Sequence, residues 1–272
     1  MKKSIFKITA FSIIAVLVVA LSVTAFALTA PGGNVTTTGD SVSYAKTNND
    51  NPYIVYNTTG LLRSAHRAGG VQDPENTMKA IKTCLNSMNE GYDVDILEFD
   101  LHLTKDNELI LLHDENFDRT TNSVEVWGRE GVLPRDKDLA EIKELNFGYW
   151  FPYERGSVQV EDKRIYKDLN ALPVEEANDL RVVTLEEVIV AAENAGKQYR
   201  YIIEIKDKGS VGKYAAQQLC ALMEKYNMFD KVVVGTFNGD ISDYFDYLNA
   251  NVYNGKINRS AGILEVLKIF LS

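Results

Sequence analysis

The chain has 272 residues, of which 45% are hydrophobic and 25% charged, the composition of an ordinary globular protein with enough apolar material for one sizeable core. Its formal net charge is −9, and because a negative surface repels phosphate backbones, we expect no nucleic-acid partner. A small anionic substrate would need a local cation, either a bound metal ion or a few basic residues. Nothing in the composition indicates an obligate protein partner.

Residues 1–30 contain three lysines, all among the first seven positions, and no acidic residue. The apolar run that follows, Ile8–Ala30, carries no charge. The small residues around Ala25–Ala27 favour a cleaved signal peptide, whereas the length of the run favours a membrane anchor, since about 20 residues span a bilayer. Both alternatives remain open. Either one places the rest of the chain outside the cytoplasm, secreted or anchored to the membrane by this segment.

A polar segment follows at residues 31–58 and is rich in Gly, Thr, Ser, Asn and Asp. It has little to bury, so it predicts a flexible linker. The remaining residues, 59–272, are the predicted folded domain.

Short strands alternate with helices through this domain, and we expect Thr184 to be the N-cap of one of the helices. The predicted strands are Leu61–His66, Asp95–Leu103, Glu108–His113, Tyr201–Lys206 and Lys231–Thr236, with a weaker sixth near Asn251–Ile257. The predicted helices are Asn76–Asn89, Asp138–Leu145, Leu185–Ala195, Tyr214–Tyr226, Ile241–Leu248 and Ile263–Leu271. This alternation predicts a parallel sheet, either a barrel or a doubly wound sheet. The long stretch Asp114–Arg181 either shapes a site at the sheet's edge or only packs on the domain.

The two cysteines, Cys84 and Cys220, both lie in segments predicted to be amphipathic helices. Isolated helical cysteines are usually small buried hydrophobes, and a disulfide cannot be argued from sequence alone.

Charged side chains recur on one face of two otherwise apolar strands. Because strand side chains alternate, Glu98 and Asp100 share a face of one strand, and Glu204 and Lys206 share a face of another. Charges on apolar strands are costly unless they are paired or bound to metal, and three carboxylates suit Ca²⁺ or Mg²⁺. The alternatives are a solvated edge strand and a surface ion pair of little weight.

Two of the three histidines, His66 and His113, lie at the ends of predicted strands. Imidazole carries protons near neutral pH, so the two could be an acid/base pair, although a single strand-end histidine is more often structural. Arg67 could bind a phosphate oxygen and Lys206 could neutralise developing charge. The third histidine, His102, is predicted to be structural or on the surface.

Together these residues resemble the motifs of the glycerophosphodiester phosphodiesterase family, in its extracytoplasmic bacterial form. The matching segments, in unbroken order over about residues 60–240, are Ala65–Gly70 with Pro74–Thr77, Glu98–Asp100 with Leu103–Asp106, His113–Asp114 with Asp118–Thr121, Glu141–Phe151, Thr184–Val188, Glu204–Lys206 and Gly235–Phe237.

The resemblance implies a TIM-type (β/α)8 barrel that hydrolyses glycerophosphodiesters to sn-glycerol 3-phosphate and an alcohol. It implies one divalent ion, Ca²⁺ or Mg²⁺. It also implies roles by position: an acid/base pair, His66 and His113; metal ligands, Glu98, Asp100 and Glu204; and residues that bind or support the substrate, Arg67, Lys206 and Glu75. Lysophospholipids or glycerol-phosphate polymers of the envelope are alternative substrates, and a non-catalytic surface-binding barrel is the remaining alternative.

Two features depart from the family pattern. Ala68 stands where the family usually has glycine, which is expected to shift the nearby backbone slightly. Only five strands are clear where a closed barrel needs eight, so the pattern lacks the last one or two βα units.

Overall fold

The computed structural model of the protein describes residues 62–87, 93–157 and 161–262. The predicted leader, the predicted linker and the predicted helix Ile263–Leu271 lie outside these residues.

Six strands among the described residues form one sheet: β1 Ser64–Ala65, β2 Ile96–Leu103, β3 Leu109–Leu111, β4 Arg200–Ile205, β5 Val232–Gly235 and β6 Asn258–Arg259. Five of them run parallel in the order β1-β2-β4-β5-β6. A helix lies between successive members of this series along the chain. Parallel strands in chain order, connected through helices, are consistent with a TIM-type barrel.

One strand, β3, does not join the parallel series. This strand pairs with β2 and runs antiparallel to it, with Leu103 opposite Leu109, and its Ile110 also forms an isolated bridge with Thr184. The connection is too short for a parallel crossover, which needs a dozen or more residues. The two strands are joined instead by a tight turn. In this turn the Thr104 hydroxyl donates to Asp106, and Asn107 has a φ of 68°. His113 is therefore carried by a hairpin that folds back along the last residues of β2.

Seven α-helices are described: α1 Met78–Leu85, α2 Ser123–Trp127, α3 Leu139–Ile142, α4 Val174–Asp179, α5 Leu185–Asn194, α6 Gly209–Lys225 and α7 Gly239–Asn251. The prediction of Thr184 as an N-cap is confirmed, because it forms a reciprocal capping box with Glu187. Helix α1 begins at Met78 because Thr77 has extended geometry and its side chain accepts from the Ala80 N–H.

Helix α6 begins at Gly209, five residues before the predicted start at Tyr214. Two glycines in the first turn weaken the helical signal in the sequence. The reason for Gly212 is steric, since a Cβ at this position would lie 2.4 Å from the Asp207 carbonyl oxygen. The sixth strand lies later than predicted because α7 extends to Asn251 and a turn intervenes.

Two apolar clusters hold the described fold together. The larger one joins the outward face of the sheet to the helices, and it contains Leu97, Phe99 and Leu101, all fully buried. The smaller one lies within the stretch Asp114–Arg181 and next to it, around Phe117 and Phe147. The stretch therefore has an apolar core of its own in addition to the residues it contributes to the site.

Cys84 and Cys220 are free and buried, as predicted for small apolar residues on helices. Burial raises the pKa of the Cys84 thiol to about 11 and that of Cys220 to about 12. Both thiols are thus protonated at neutral pH. Within the described ranges, no helix has the length and apolar character needed to cross a membrane.

Candidate active site

Charged residues from β2 and the end of β4 meet on one face of the sheet, as the alternation of side chains predicts. Asp100 on β2 lies directly opposite Glu204 on β4 in the parallel register. The ammonium group of Lys206 lies 2.9 Å from Asp100 Oδ1 and 2.9 Å from Glu204 Oε2. Asp100 is 2% exposed, so its charge depends on these partners rather than on water.

Glu98 completes this cluster one pleat before Asp100. Its Oε2 accepts the backbone N–H of Arg67 at 2.7 Å and lies 3.9 Å from His66 Nε2, beyond hydrogen-bonding distance. Burial, and to a smaller extent the nearby Asp100 carboxylate, raise the pKa of Glu98 in spite of that hydrogen bond. The cluster thus holds more negative charge than Lys206 alone balances.

The segment after β1 is a single turn of 3₁₀ helix, His66–Ala68, that turns the chain sharply into the site. Arg67, Ala68 and Gly69 have φ values of 49°, 57° and 90°, so three successive residues are left-handed. Ala68 is a buried residue in a left-handed conformation that suits glycine better than alanine. The turn presents the Arg67 N–H to Glu98 and leaves the His66 side chain 75% exposed.

Glu75 connects two arginines from different parts of the chain. Arg67 Nη1 lies 3.1 Å from its Oε2, and both Nη atoms of Arg119 donate to the same carboxylate. Gly70 allows this approach, because a Cβ there would lie 2.6 Å from Glu75 Cβ. Glu75 therefore contacts two arginine side chains that would face a phosphate, and in this position it supports the residues that bind the substrate.

Arg119 continues the network to the second histidine. Its Nε and Nη2 donate to Asp114, and Asp114 Oδ1 lies 2.7 Å from His113 Nδ1. Burial opposes ionisation of Asp114, but hydrogen bonds from His113 and Arg119 hold the pKa of its carboxyl well below the usual range. An ionised Asp114 accepts a hydrogen bond from the Nδ1–H of His113 and so leaves Nε2 of the ring to exchange a proton with a ligand.

Two further polar residues lie against the carboxylates. Asn76 Nδ2 donates to Asp100 at 3.4 Å, while its buried Oδ1 has no hydrogen-bond partner among the described residues. His102 follows Asp100 on the same face, is 3% exposed, and contacts Asp207 through Nδ1 at 2.7 Å.

The structure thus brings most of the predicted site together. Seven of the eight predicted residues are joined by direct contacts into two groups. The first consists of Asp100, Glu204 and Lys206. The second links Glu98 through the Arg67 N–H to Glu75, and from there through Arg119 to Asp114 and His113. The His66 side chain lies at the edge, near Glu98 but not bonded to it.

The carboxylates Glu98, Asp100 and Glu204 are the described residues nearest in character to a divalent-cation site. No group of three or more His, Cys, Asp or Glu side chains within residues 62–87, 93–157 and 161–262 has the arrangement of a metal site. The chemistry of the donor set nevertheless fits a hard cation, because three carboxylates lie near one ammonium group and the buried Asn76 amide oxygen meets no donor from the described part of the chain. The residues that could hold such an ion are Glu98, Asp100 and Glu204.

Three participants were not assigned to the site from the sequence: Arg119, Asp114 and Asn76. Each belongs to a segment that carries the family resemblance, and that is the only signal that could have found them. Arg119 lies 44 residues from Glu75 in the chain, so their contact depends on tertiary folding.

Comparison with known proteins supports one family. Residues 66–254 match the model of the glycerophosphoryl diester phosphodiesterase family. Glycerophosphodiester phosphodiesterases of Bacillus subtilis and Caldanaerobacter subterraneus are 32% and 30% identical over 63% and 64% of this chain. The matches cover 48% and 57% of those two proteins, so the chain spans about half the length of these relatives.

A solved structure with a similar fold agrees with this family match. An Oleispira antarctica phosphodiesterase solved in complex with the product sn-glycerol-3-phosphate superposes with a TM-score of 0.51 at 21% identity, covering 73% of this chain and 64% of that one. Likeness at this identity shows the shared fold alone. The family model covers well over half of the 272 residues, including every predicted site residue, and from this match it follows that the chain belongs to the glycerophosphoryl diester phosphodiesterase family.

Proposed function

We propose that this protein hydrolyses glycerophosphodiesters to sn-glycerol 3-phosphate and an alcohol. The observation that carries the proposal is the ion-pair network through Glu75 and Arg119, which links the segment of His66 to His113 beside the carboxylates of β2 and β4. The family and the names of the curated relatives support the same reaction class.

In this proposal the basic residues bind and orient the phosphate. Arg67 lies at the turn after β1 and Lys206 lies beyond β4, so the two can approach a diester from the strand ends on either side of β2. Their contacts with Glu75, Asp100 and Glu204 fix both cations before a substrate arrives. Preorganised charge of this kind stabilises the charge that builds on phosphorus.

The histidines are proposed to move the protons. His113 Nε2 exchanges a proton with the attacking or the leaving oxygen while Asp114 holds Nδ1. His66 does the same on the other side of the phosphorus from its exposed position near Glu98. In the overall hydrolysis one ring takes a proton from the attacking water, whose oxygen forms the new P–O bond. The other ring gives a proton to the departing alcohol oxygen as its P–O bond breaks, so the two rings exchange protonation states.

We infer that Glu98, Asp100 and Glu204 hold one divalent ion, Ca²⁺ or Mg²⁺, in the working enzyme. The excess negative charge and the raised pKa of Glu98 support this inference. When bound, such an ion supplies Lewis-acid neutralisation of the phosphate oxygens.

The direct test is release of sn-glycerol 3-phosphate from soluble glycerophosphodiesters by the purified full chain, compared with the His113→Ala and His66→Ala variants. We expect release by the parent chain and losses of at least about 100-fold in each variant, since positioned acid or base groups contribute about 10² to 10⁴. A parent chain that is folded by circular dichroism but inactive would refute the proposal and favour a non-catalytic binding role.

A further inference from the structure

The short loop between β5 and α7, residues 236–238, contacts the backbone on both sides of Lys206. The pairing of β4 with β5 ends with Glu204 opposite Gly235, so the two peptide groups that flank Lys206 lie beyond the last pair. Side chains of the loop bond these peptide groups in place of a further strand residue. The contacts therefore fall at the point where β4 delivers Lys206 to the candidate site.

Thr236 holds the peptide group that precedes Lys206. Its hydroxyl donates to the Ile205 carbonyl oxygen at 2.9 Å and accepts the Asn238 N–H at 3.1 Å. On the other side of β4, the Lys206 N–H of the same peptide group donates to the Leu101 carbonyl oxygen at 3.1 Å. This peptide group is thus bonded both from β2 and from the loop after β5.

Asn238 holds the peptide group that follows Lys206. Its Nδ2 donates to the carbonyl oxygens of Lys206 and Asp207, at 3.1 Å and 3.2 Å. Because both partners are acceptors, the nitrogen of the Asn238 amide must be the atom that faces them. Asp207 is also bonded from β2, since its Oδ2 accepts the Leu103 N–H at 2.7 Å. With both planar peptide groups held, the direction in which the Lys206 side chain leaves the backbone is set as well.

The orientation of the Asn238 side chain distinguishes this contact from ordinary helix capping. Asn238 stands at the N-cap position of α7, where an asparagine side chain usually accepts an N–H of the first helical turn. Its side chain makes no such bond to the first turn of α7, which lies within the described residues. The amide is turned instead toward the end of β4. The helix forgoes its side-chain cap, and the bonds that replace it lie next to Lys206.

The ammonium group of Lys206 has a defined position as a result. It lies 2.9 Å from Asp100 Oδ1 and 2.9 Å from Glu204 Oε2. The ring of Phe237, in the middle of the loop, has its centroid 5.9 Å from the same nitrogen, which is the outer range of a cation–π contact. Phe237 is 63% exposed, so the bonds of its two neighbours in the loop hold it there rather than burial.

We propose that Thr236 and Asn238 are positioning residues for Lys206, the cation that binds the phosphate of the diester. They act through the peptide groups on either side of Lys206 and do not touch the substrate. The proposal rests on the phosphodiesterase function proposed above. Without these two side chains the peptide groups after β4 are free to turn, and the ammonium group leaves its place. Phosphate binding then weakens, because part of the interaction is used to order Lys206 again.

The test measures release of sn-glycerol 3-phosphate from glycerophosphocholine by the full chain and by its Asn238→Ser variant. Serine caps helices about as well as asparagine and is uncharged, but it has one hydroxyl in place of two N–H donors. Asn258→Ser is the matched control, because Asn258 Nδ2 donates to the Phe229 carbonyl oxygen at 2.8 Å, before β5 begins and away from Lys206. A second pair, Thr236→Val and Thr236→Ser, removes and keeps the other hydroxyl.

We expect Asn238→Ser to raise both KM and the Ki of sn-glycerol 3-phosphate as a competitive inhibitor at least about tenfold, since misplaced groups bind and orient poorly. The change in kcat should be smaller, and the midpoint of thermal unfolding should stay parental. Thr236→Val should act in the same direction, and Thr236→Ser should recover most of the loss. Asn258→Ser should keep the parental KM and Ki.

Parental KM and Ki in folded Asn238→Ser and Thr236→Val, whether or not their thermal midpoints fall, would overturn the positioning role. That result would leave the phosphodiesterase function intact and would reduce the two side chains to partners of buried carbonyl groups. A folded parent chain that releases no sn-glycerol 3-phosphate would remove both proposals.

Discussion

Glu75 shows how one carboxylate can set the geometry of two cations. It accepts hydrogen bonds from Arg67 in the turn after β1 and from Arg119 beyond the hairpin, and it is itself only 15% exposed. Removing a partner from such a half-buried group leaves the remaining charges poorly compensated. Arg119 is the central member, because it also holds Asp114 and, through it, His113.

The first prediction concerns Arg119. Arg119→Met should lower kcat by about 10- to 100-fold with a smaller change in KM, because His113 loses its fixed orientation and small misplacements cost about 100-fold. Arg119→Lys should recover part of this loss. Steady-state kinetics of glycerol 3-phosphate release measures both.

The matched control is Arg155→Met, which removes another arginine of the same stretch, one that pairs with the exposed Glu130. It should keep parental kinetics. Equal kinetics for the Arg119 and Arg155 variants would show that the network does not position His113.

The second prediction concerns pH. The pKa of Asp114 is depressed in the folded protein, so its ionised form contributes stability that is present above its unfolded pKa, near 4, and is lost as the pH falls. Asp114→Asn should therefore lower the free energy of unfolding more at pH 7 than at pH 3. Urea unfolding across this range measures the difference, and a pH-independent difference would contradict the assignment.

At the level of single residues, the sequence predicts contacts set by local periodicity. The shared face of Glu98 and Asp100 follows from alternation along a strand, and the structure confirms it. The partners of His113 could not be found this way. The contact of Arg119 with Glu75 depends on where the chain returns after 44 residues.

Among the elements, the turn after β1 has a tight steric requirement that bears directly on the site. Gly70 leaves no space for a methyl group, since its Cβ would lie 2.6 Å from Glu75 Cβ. Overpacking of this kind typically costs about 1–3 kcal/mol. The close approach joins the turn to the residue that orients both arginines.

The third prediction follows from this contact. Gly70→Ala should lower activity at least about tenfold by displacing Glu75, and should lower the free energy of unfolding by about 1–3 kcal/mol. Gly239→Ala is the control, because a Cβ there meets nothing within 4 Å. The kinetics and thermal unfolding of the two variants should differ clearly. Equal activity and equal stability of the two would mean that the turn accommodates the added methyl group.

Element boundaries were predictable where capping and periodicity agree, as at Thr184 before α5. They were not predictable where tertiary contacts override propensity. Helix α6 starts among glycines because Gly212 packs on the Asp207 carbonyl, and β3 reverses direction because its connection to β2 is a tight turn.

For the whole molecule, the described sheet has β1 at one edge and β6 at the other, with five parallel strands where a complete barrel has eight. All eight predicted site residues lie on the first three parallel strands, on the β2–β3 hairpin and on the loops after them. The strand alternation and the ordered motifs predicted this part of the fold. The extracytoplasmic location expected from residues 1–30 stays a prediction, as those residues lie outside the described ranges.

Because the chain has a net charge of −9, the balance of positive and negative charge within the site matters for binding an anionic substrate. Three carboxylates and one ammonium group on β2 and β4 would repel a diester unless a further cation joins them. Metal dependence is therefore the property on which the functional account most depends.

The most direct measurement is glycerol 3-phosphate release by the purified full chain before and after chelation with EDTA, and after addition of Ca²⁺ or Mg²⁺. The account predicts release that chelation abolishes and that one of the two ions restores. Release that persists unchanged in EDTA, or its absence with both ions from a folded chain, would contradict it.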